Sequence, residues 1–127
     1  MKYEREFLKC NKCGNIAALL ENKGPKLVCC GQEMSLLTPN TVDAAAEKHV
    51  PAAELKDGML HVKVGAVPHP HTKEHHIAWI SVAQDSMTQR IKLDEESEAA
   101  AQFQLTEGDS ATVYAFCNLH GLWAADI

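Results

Sequence analysis

The chain has 127 residues, a formal net charge of -5 and an isoelectric point near 5.7, a size that suits one ordinary domain or two small ones. Hydrophobic residues make up 46% and support a packed core, although aromatics reach only 6%. The acidic balance disfavours a nucleic-acid binder, which needs clustered Lys and Arg, and the longest apolar runs fall short of the roughly 20 residues that span a bilayer. The stretch from Met1 to Glu6 lacks the apolar core of a secretory signal. Five cysteines, an odd number, point to metal or redox use in a reducing cytoplasm and away from a disulfide scaffold.

Residues 1–37 hold four of the cysteines and only a few large apolar groups, among them Phe7, Leu8, Ile16, Leu19 and Leu27. So short a segment cannot bury enough surface to fold alone and needs a staple such as a metal. Gly14, Gly24-Pro25 and Gly31 are turn signals between short strand-like pieces at Ile16–Leu20 and Lys26–Val28. Leu37-Thr38-Pro39-Asn40 reads as a linker, so the expected division is a metal knuckle over 1–37 and a second domain over 38–127.

Past Pro39 the pattern is mostly of period two. Met59–Val64, Ile77–Val82, Met87–Leu93 and Ala111–Cys117 are strand candidates bounded by Gly, Pro, Asp or Asn. Several short strands at close spacing predict an antiparallel sandwich, and so an all-β fold. The one helix candidate is the alanine-rich Val42–Lys48, with Thr41 placed to cap it. Asp94–Ala101, acidic and alanine-rich, reads either as a helical turn or as a solvated loop.

The cysteines fall into two sets. Cys10-x2-Cys13-Gly14 lets two sulfurs from one tight turn grip an ion, with glycine easing the backbone past the second. Cys29 and Cys30 follow as an adjacent pair, where a zinc ribbon would have two residues between them. Adjacent cysteines on an extended chain point apart, so both reach one ion only if the backbone bends. These four thiols signal a metal without identifying it; a structural zinc and a disulfide pairing are the plainer alternatives. The fifth, Cys117, is three residues from His120, a common ligand spacing. His69 and His75 lie six apart on one loop, and His49 precedes Val50-Pro51, where proline holds an extended path. Any of these histidines alone is more often a surface or core residue. One thiol and several imidazoles together make a metal centre of a different and more open kind. His61 reads as exposed on the polar side of its strand, His71 and His76 as neighbours of the ligands, and Trp79 and Trp123 as core aromatics.

In order, Leu8–Ile16 and Leu27–Gly31 resemble a desulforedoxin-type front domain. Glu47-Lys48-His49-Val50-Pro51, His69-Pro70 with Glu74-His75, and Cys117–Gly121 resemble the catalytic domain of desulfoferrodoxins, the two-iron class of superoxide reductases. The likeness spans nearly the whole chain and is weak only at Met1–Phe7 and around Asp94–Gln104. It implies two irons per chain. The front one would be held by Cys10, Cys13, Cys29 and Cys30, with zinc as the alternative occupant. The rear, catalytic one would have His49, His69, His75 and His120 around it, the Cys117 thiolate axial and the opposite position open. By the same resemblance Glu47 is a sixth ligand after oxidation, and Lys48 lies near the open position, where it attracts an anionic substrate. The implied fold is an immunoglobulin-like sandwich behind the knuckle, and the implied assembly a homodimer. The implied reaction is one-electron reduction of superoxide to hydrogen peroxide, without release of oxygen, fed by a donor such as rubredoxin or a reductase. His71 stands where the family often has methionine and His76 where it often has an aromatic.

Three rival readings weigh against this one. A rubredoxin-like iron or electron-transfer protein without turnover leaves Cys117, His120 and the other histidines unexplained. A zinc-ribbon adaptor lacks the basic patch. A dismutase would need the same site to oxidise superoxide as well. The front iron is read either as a folding staple or as an electron relay.

Overall fold

A computed structural model describes residues 1–42, 49–65 and 71–127. Most of the helix candidate at 42–48 therefore lies outside the described residues, as do Glu47, Lys48 and His69. Two compact units divide the chain, Glu4–Thr38 and Met1–Tyr3 together with Pro39–Ile127, so the first three residues belong to the larger unit. The described residues form twelve short strands and include no helix long and apolar enough to cross a membrane.

The small unit has β1 (Glu6–Lys9), β2 (Ile16–Leu19), β3 (Val28–Cys29), β4 (Gln32–Glu33) and β5 (Ser35–Leu36). β1 pairs antiparallel with both β2 and β5, and β3 pairs with β4. Its buried hydrophobic residues are Phe7, Leu8 and Cys10. That core is too small to outweigh the entropy of ordering 35 residues, so a cross-link through the sulfurs is needed.

The described residues of the larger unit form a seven-stranded antiparallel sandwich, in keeping with the predicted all-β class. One sheet runs β10 (Ala100–Gln104), β7 (Met59–Val64), β6 (Pro51–Lys56). The other runs β12 (Gly121–Asp126), β11 (Thr112–Cys117), β8 (Ile77–Ala83), β9 (Thr88–Lys92). Alternation directs Leu60, Val62 and Val64 of β7 into the core, where they meet Ile80 and Val82 of β8 and Val113, Ala115 and Cys117 of β11. Asp57 (φ 52°) and Gly58 (φ 79°) turn β6 into β7 through a two-residue loop with both φ positive, the hairpin turn whose twist matches its strands.

Two readings change. Ala100 and Ala101 belong to β10 and not to a helical turn or loop, because pairing with β7 supplies ladder bonds that outweigh alanine's weak strand preference. Only Asp94–Ser97 turns, with Asp94 Oδ1 accepting the Glu96 N–H at 2.8 Å. His61 is half-buried, since β7 is the central strand and His61 sits between Glu54 and Gln102.

Candidate metal centres

The front cluster is built by two turns. In the first, the Cys13 N–H points at Cys10 Sγ (3.4 Å) and the Gly14 N–H donates to Cys10 O (3.0 Å), with Gly14 at φ 83°. In the second, Cys29 pairs with Gln32, leaving Cys30 and Gly31 as a two-residue loop with φ of 54° and 73°. This is the bend that the adjacent cysteines require. The left-handed conformation at Cys30 brings its sulfur to 4.0 Å from that of Cys29, and Cys13 Sγ lies 3.6 Å from Cys29 Sγ. Two sulfurs each about 2.3 Å from a tetrahedral ion would stand about 3.8 Å apart, so the set suits one metal. Backbone N–H groups of Cys13 and Lys12 pull the Cys10 thiol down to about 6. Hydrogen bonds shared with Cys13 and Cys10 push Cys30 up to about 12 and raise Cys29 as well. Four sulfurs this close are all anionic only with a cation among them.

The rear cluster joins His49, His75, Cys117 and His120, whose donor atoms all lie within 4.8 Å of one another. Cys117 ends β11 and Gly121 opens β12, so the short turn between them carries His120 back over the strand end. A bulge in the pairing of β8 with β11 sets Ile77, and not Ala78, opposite Cys117. It thereby re-aims the chain that leads back to His75. His49 Nε2 and His120 Nδ1 are 3.0 Å apart, the spacing of two nitrogens about 2.1 Å from one ion at right angles. An imidazole–imidazole hydrogen bond has a similar length. The third imidazole and the thiol, with Cys117 Sγ 3.7 Å from His120 Nδ1, favour an ion. The rings of His49 and His75 are near-parallel (28°), and His120 stands edge-on to both.

Burial governs the electrostatics here. Cys117 is 0% exposed, and desolvation raises its thiol above the ordinary range, partly countered by the N–H groups of Leu119 and His120. A cation at the imidazoles reverses that preference and holds the sulfur as thiolate.

Sequence reasoning overlooked two further residues. Trp123, read as a core aromatic, is buried but stacks on His49 (5.0 Å, 26°), and its indole N–H donates to His120 O (3.1 Å). Asn118 lies inside the Cys-x2-His motif, where its position was the only available hint. His71 and His76 join neither donor cluster of the described residues. The His71 Nε2–H donates to Ile77 O (3.2 Å) and the His76 Nδ1–H to Thr72 O (3.0 Å). Trp79 is half-buried, stacked on Phe116 with Arg90 over its ring.

A cysteine-caged knuckle followed by a sandwich with one thiol among imidazoles defines a class of two-centre, non-haem metalloproteins. Residues 41–126 match the Desulfoferrodoxin family and residues 3–37 the family described as Desulfoferrodoxin, N-terminal domain. The chain belongs to the desulfoferrodoxin family. It is 43% identical over 126 residues to a desulfoferrodoxin of Syntrophotalea carbinolica, covering 99% of both chains. It is 45% identical over 123 residues to one from Desulfarculus baarsii, covering 95% of each. A crystal structure of the superoxide reductase from Treponema pallidum superposes with a TM-score of 0.79 at 33% identity, covering 96% of this chain and 98% of that one.

Proposed function

We propose that this protein is an iron-dependent superoxide reductase that converts superoxide, one electron and two protons into hydrogen peroxide. The observation that carries the reading is the meeting of one buried thiol with three imidazoles at the ends of strands from one sandwich. Bound at that cluster, iron would supply the electron and a coordination position for the substrate.

The chain's own residues set the conditions. His49, His75 and His120 bind as neutral imidazoles and favour a reduced, electron-donating ion. Cys117 adds one anionic donor inside the protein, where low dielectric strengthens its influence. The indole of Trp123 walls one side of His49 and excludes water there. By family resemblance, His69 is the fourth nitrogen ligand, Glu47 the sixth ligand after oxidation, and Lys48 the cation that attracts superoxide and orders the water that supplies protons. In the front unit, Cys10, Cys13, Cys29 and Cys30 hold a second iron that staples the fold and admits electrons, with zinc as the competing occupant. An external donor such as rubredoxin or a reductase, a cytoplasmic setting and a homodimeric assembly complete the proposal.

The deciding experiment mixes the reduced, iron-loaded protein with a superoxide pulse. One peroxide per superoxide with no oxygen evolved supports the reductase; half that peroxide with oxygen evolved indicates a dismutase. Persistence of superoxide in protein holding two irons supports the non-catalytic electron carrier. Lys48→Ala is expected to slow association about ten-fold and to weaken its salt dependence.

A further inference from the structure

The side-chain amide of Asn118 closes a bridge across the rear centre. Its Nδ2 donates to Glu74 O at 2.9 Å, and its Oδ1 accepts the His76 N–H at 2.9 Å. Its own backbone N–H donates to His76 O at 3.1 Å. Glu74 O belongs to the peptide plane before His75 and the His76 N–H to the plane after it. The two planes meet only at the Cα of His75, so pinning both sets its φ and ψ and with them the direction of its Cα–Cβ bond. Asn118 also lies between Cys117 and His120 in the turn that carries both. One amide therefore ties the segment bearing His75 to the hairpin bearing two other donors. Inside the segment, the Thr72 N–H donates to His75 O (2.9 Å) and the His75 N–H to Thr72 Oγ1 (3.2 Å). Those bonds shape the local turn but do not reach the hairpin.

We propose that Asn118 is a positioning residue for His75, holding its imidazole in register with Cys117 and His120 so that the donor set is assembled before the metal arrives. This rests on the reading that the rear cluster binds iron. Outer partners that orient a metal's ligands change affinity or activity by roughly 10–100-fold when removed. Asn118→Ala loses both side-chain bonds. Asn118→Asp keeps an acceptor for the His76 N–H but loses the donor to Glu74 O.

The test titrates ferrous ion alone into metal-free, full-length protein under anaerobic conditions, against a competing chelator. Amide hydrogen exchange at His76 is followed in parallel. For Asn118→Ala the expected result is rear-site affinity lower by about 10–100-fold, faster exchange at His76, and unchanged affinity at the front cysteines. Asn118→Asp should fall between it and the unaltered protein, and decides the matter on the same readouts if the alanine variant does not fold. In a His75→Ala background, Asn118→Ala should cost no further affinity, because its action passes through His75; an equal loss there would mark a general structural effect and overturn the assignment. Rear-site affinity of Asn118→Ala within about threefold of the unaltered protein would overturn it alone. Failure of the unaltered protein to take iron at the rear cluster would overturn the proposed function together with it.

Discussion

The indole of Trp123 stacks on the imidazole of His49 with ring centroids 5.0 Å apart while its N–H donates to the carbonyl of His120. One side chain thus holds two donors from segments 71 residues apart. Trp123→Phe keeps the ring contact and loses the hydrogen bond, so unfolding in urea should show a loss of about 1 kcal/mol with metal loading retained. Trp123→Ala empties a buried site and should cost about 3–5 kcal/mol. Rear-site iron should fall with it, read by metal analysis beside the unfolding curve.

Cys30 combines a place in the four-thiol cluster with a left-handed turn conformation. Asparagine tolerates that conformation and lacks the sulfur. Cys30→Asn should therefore keep the β3–β4 hairpin while weakening metal retention at the front cluster. Metal content should drop by about one ion per chain, with the rear centre's thiolate absorption and its reaction with superoxide preserved. Loss of both metals would show that the front ligand set is needed for the rear unit.

Asn15 Nδ2 donates to Cys29 Sγ at 3.6 Å. Such a bond stabilises the more negatively charged, reduced state of an iron held by thiolates. With iron at the front cluster, as proposed, Asn15→Ala should lower its potential. If the bond differs by about 1 kcal/mol between the two states, the one-electron shift is about 40 mV. Electrochemical titration of the front chromophore measures it, and a rise would contradict the assignment.

The N-terminus is clasped to the end of the sandwich. Asp126 accepts from the Thr112 hydroxyl and from the Lys2 N–H (3.0 Å), and Tyr114 donates to Tyr3 O (2.9 Å). The Thr112 bond, then the Lys2 N–H, hold the Asp126 carboxyl below its ordinary 3.8. A depressed carboxyl stabilises the fold above that ordinary value and loses the contribution as pH falls through the folded-state value. Metal-free protein should therefore lose stability below pH 3.8 more steeply than Asp126→Asn, as followed by urea midpoints across that range. The contribution is small, since Asp126 is exposed.

Where the local signal was strong, sequence and structure coincide. Met59–Val64 alternates strictly and forms β7 over the same residues. Pro51–Lys56 escaped notice because it is mostly exposed and lacks an apolar face, although Asp57-Gly58 just beyond it is a hairpin signal. Gly121–Asp126 escaped for the opposite reason. Leu122, Trp123 and Ala124 are buried in succession, and a strand covered on both sides shows no alternation. Ala100–Gln104 is a strand by partnership with β7, and local preference could not announce it.

By itself the sequence determined which chemistry was available: four thiols in two pairs at the front, one thiol and several imidazoles behind, and an acidic chain patterned for short strands. Those are properties of residue type and local spacing, which a linear reading captures. Only the tertiary structure decided that His49, His75, Cys117 and His120 meet, that Cys30 turns left-handed beside the other sulfurs, and that Asn118 and Trp123 contact the segments that carry the donors. Each of these depends on segments far apart in the chain being set within a few ångströms by sheet pairing and core packing, and neighbouring residues carry no record of such distances.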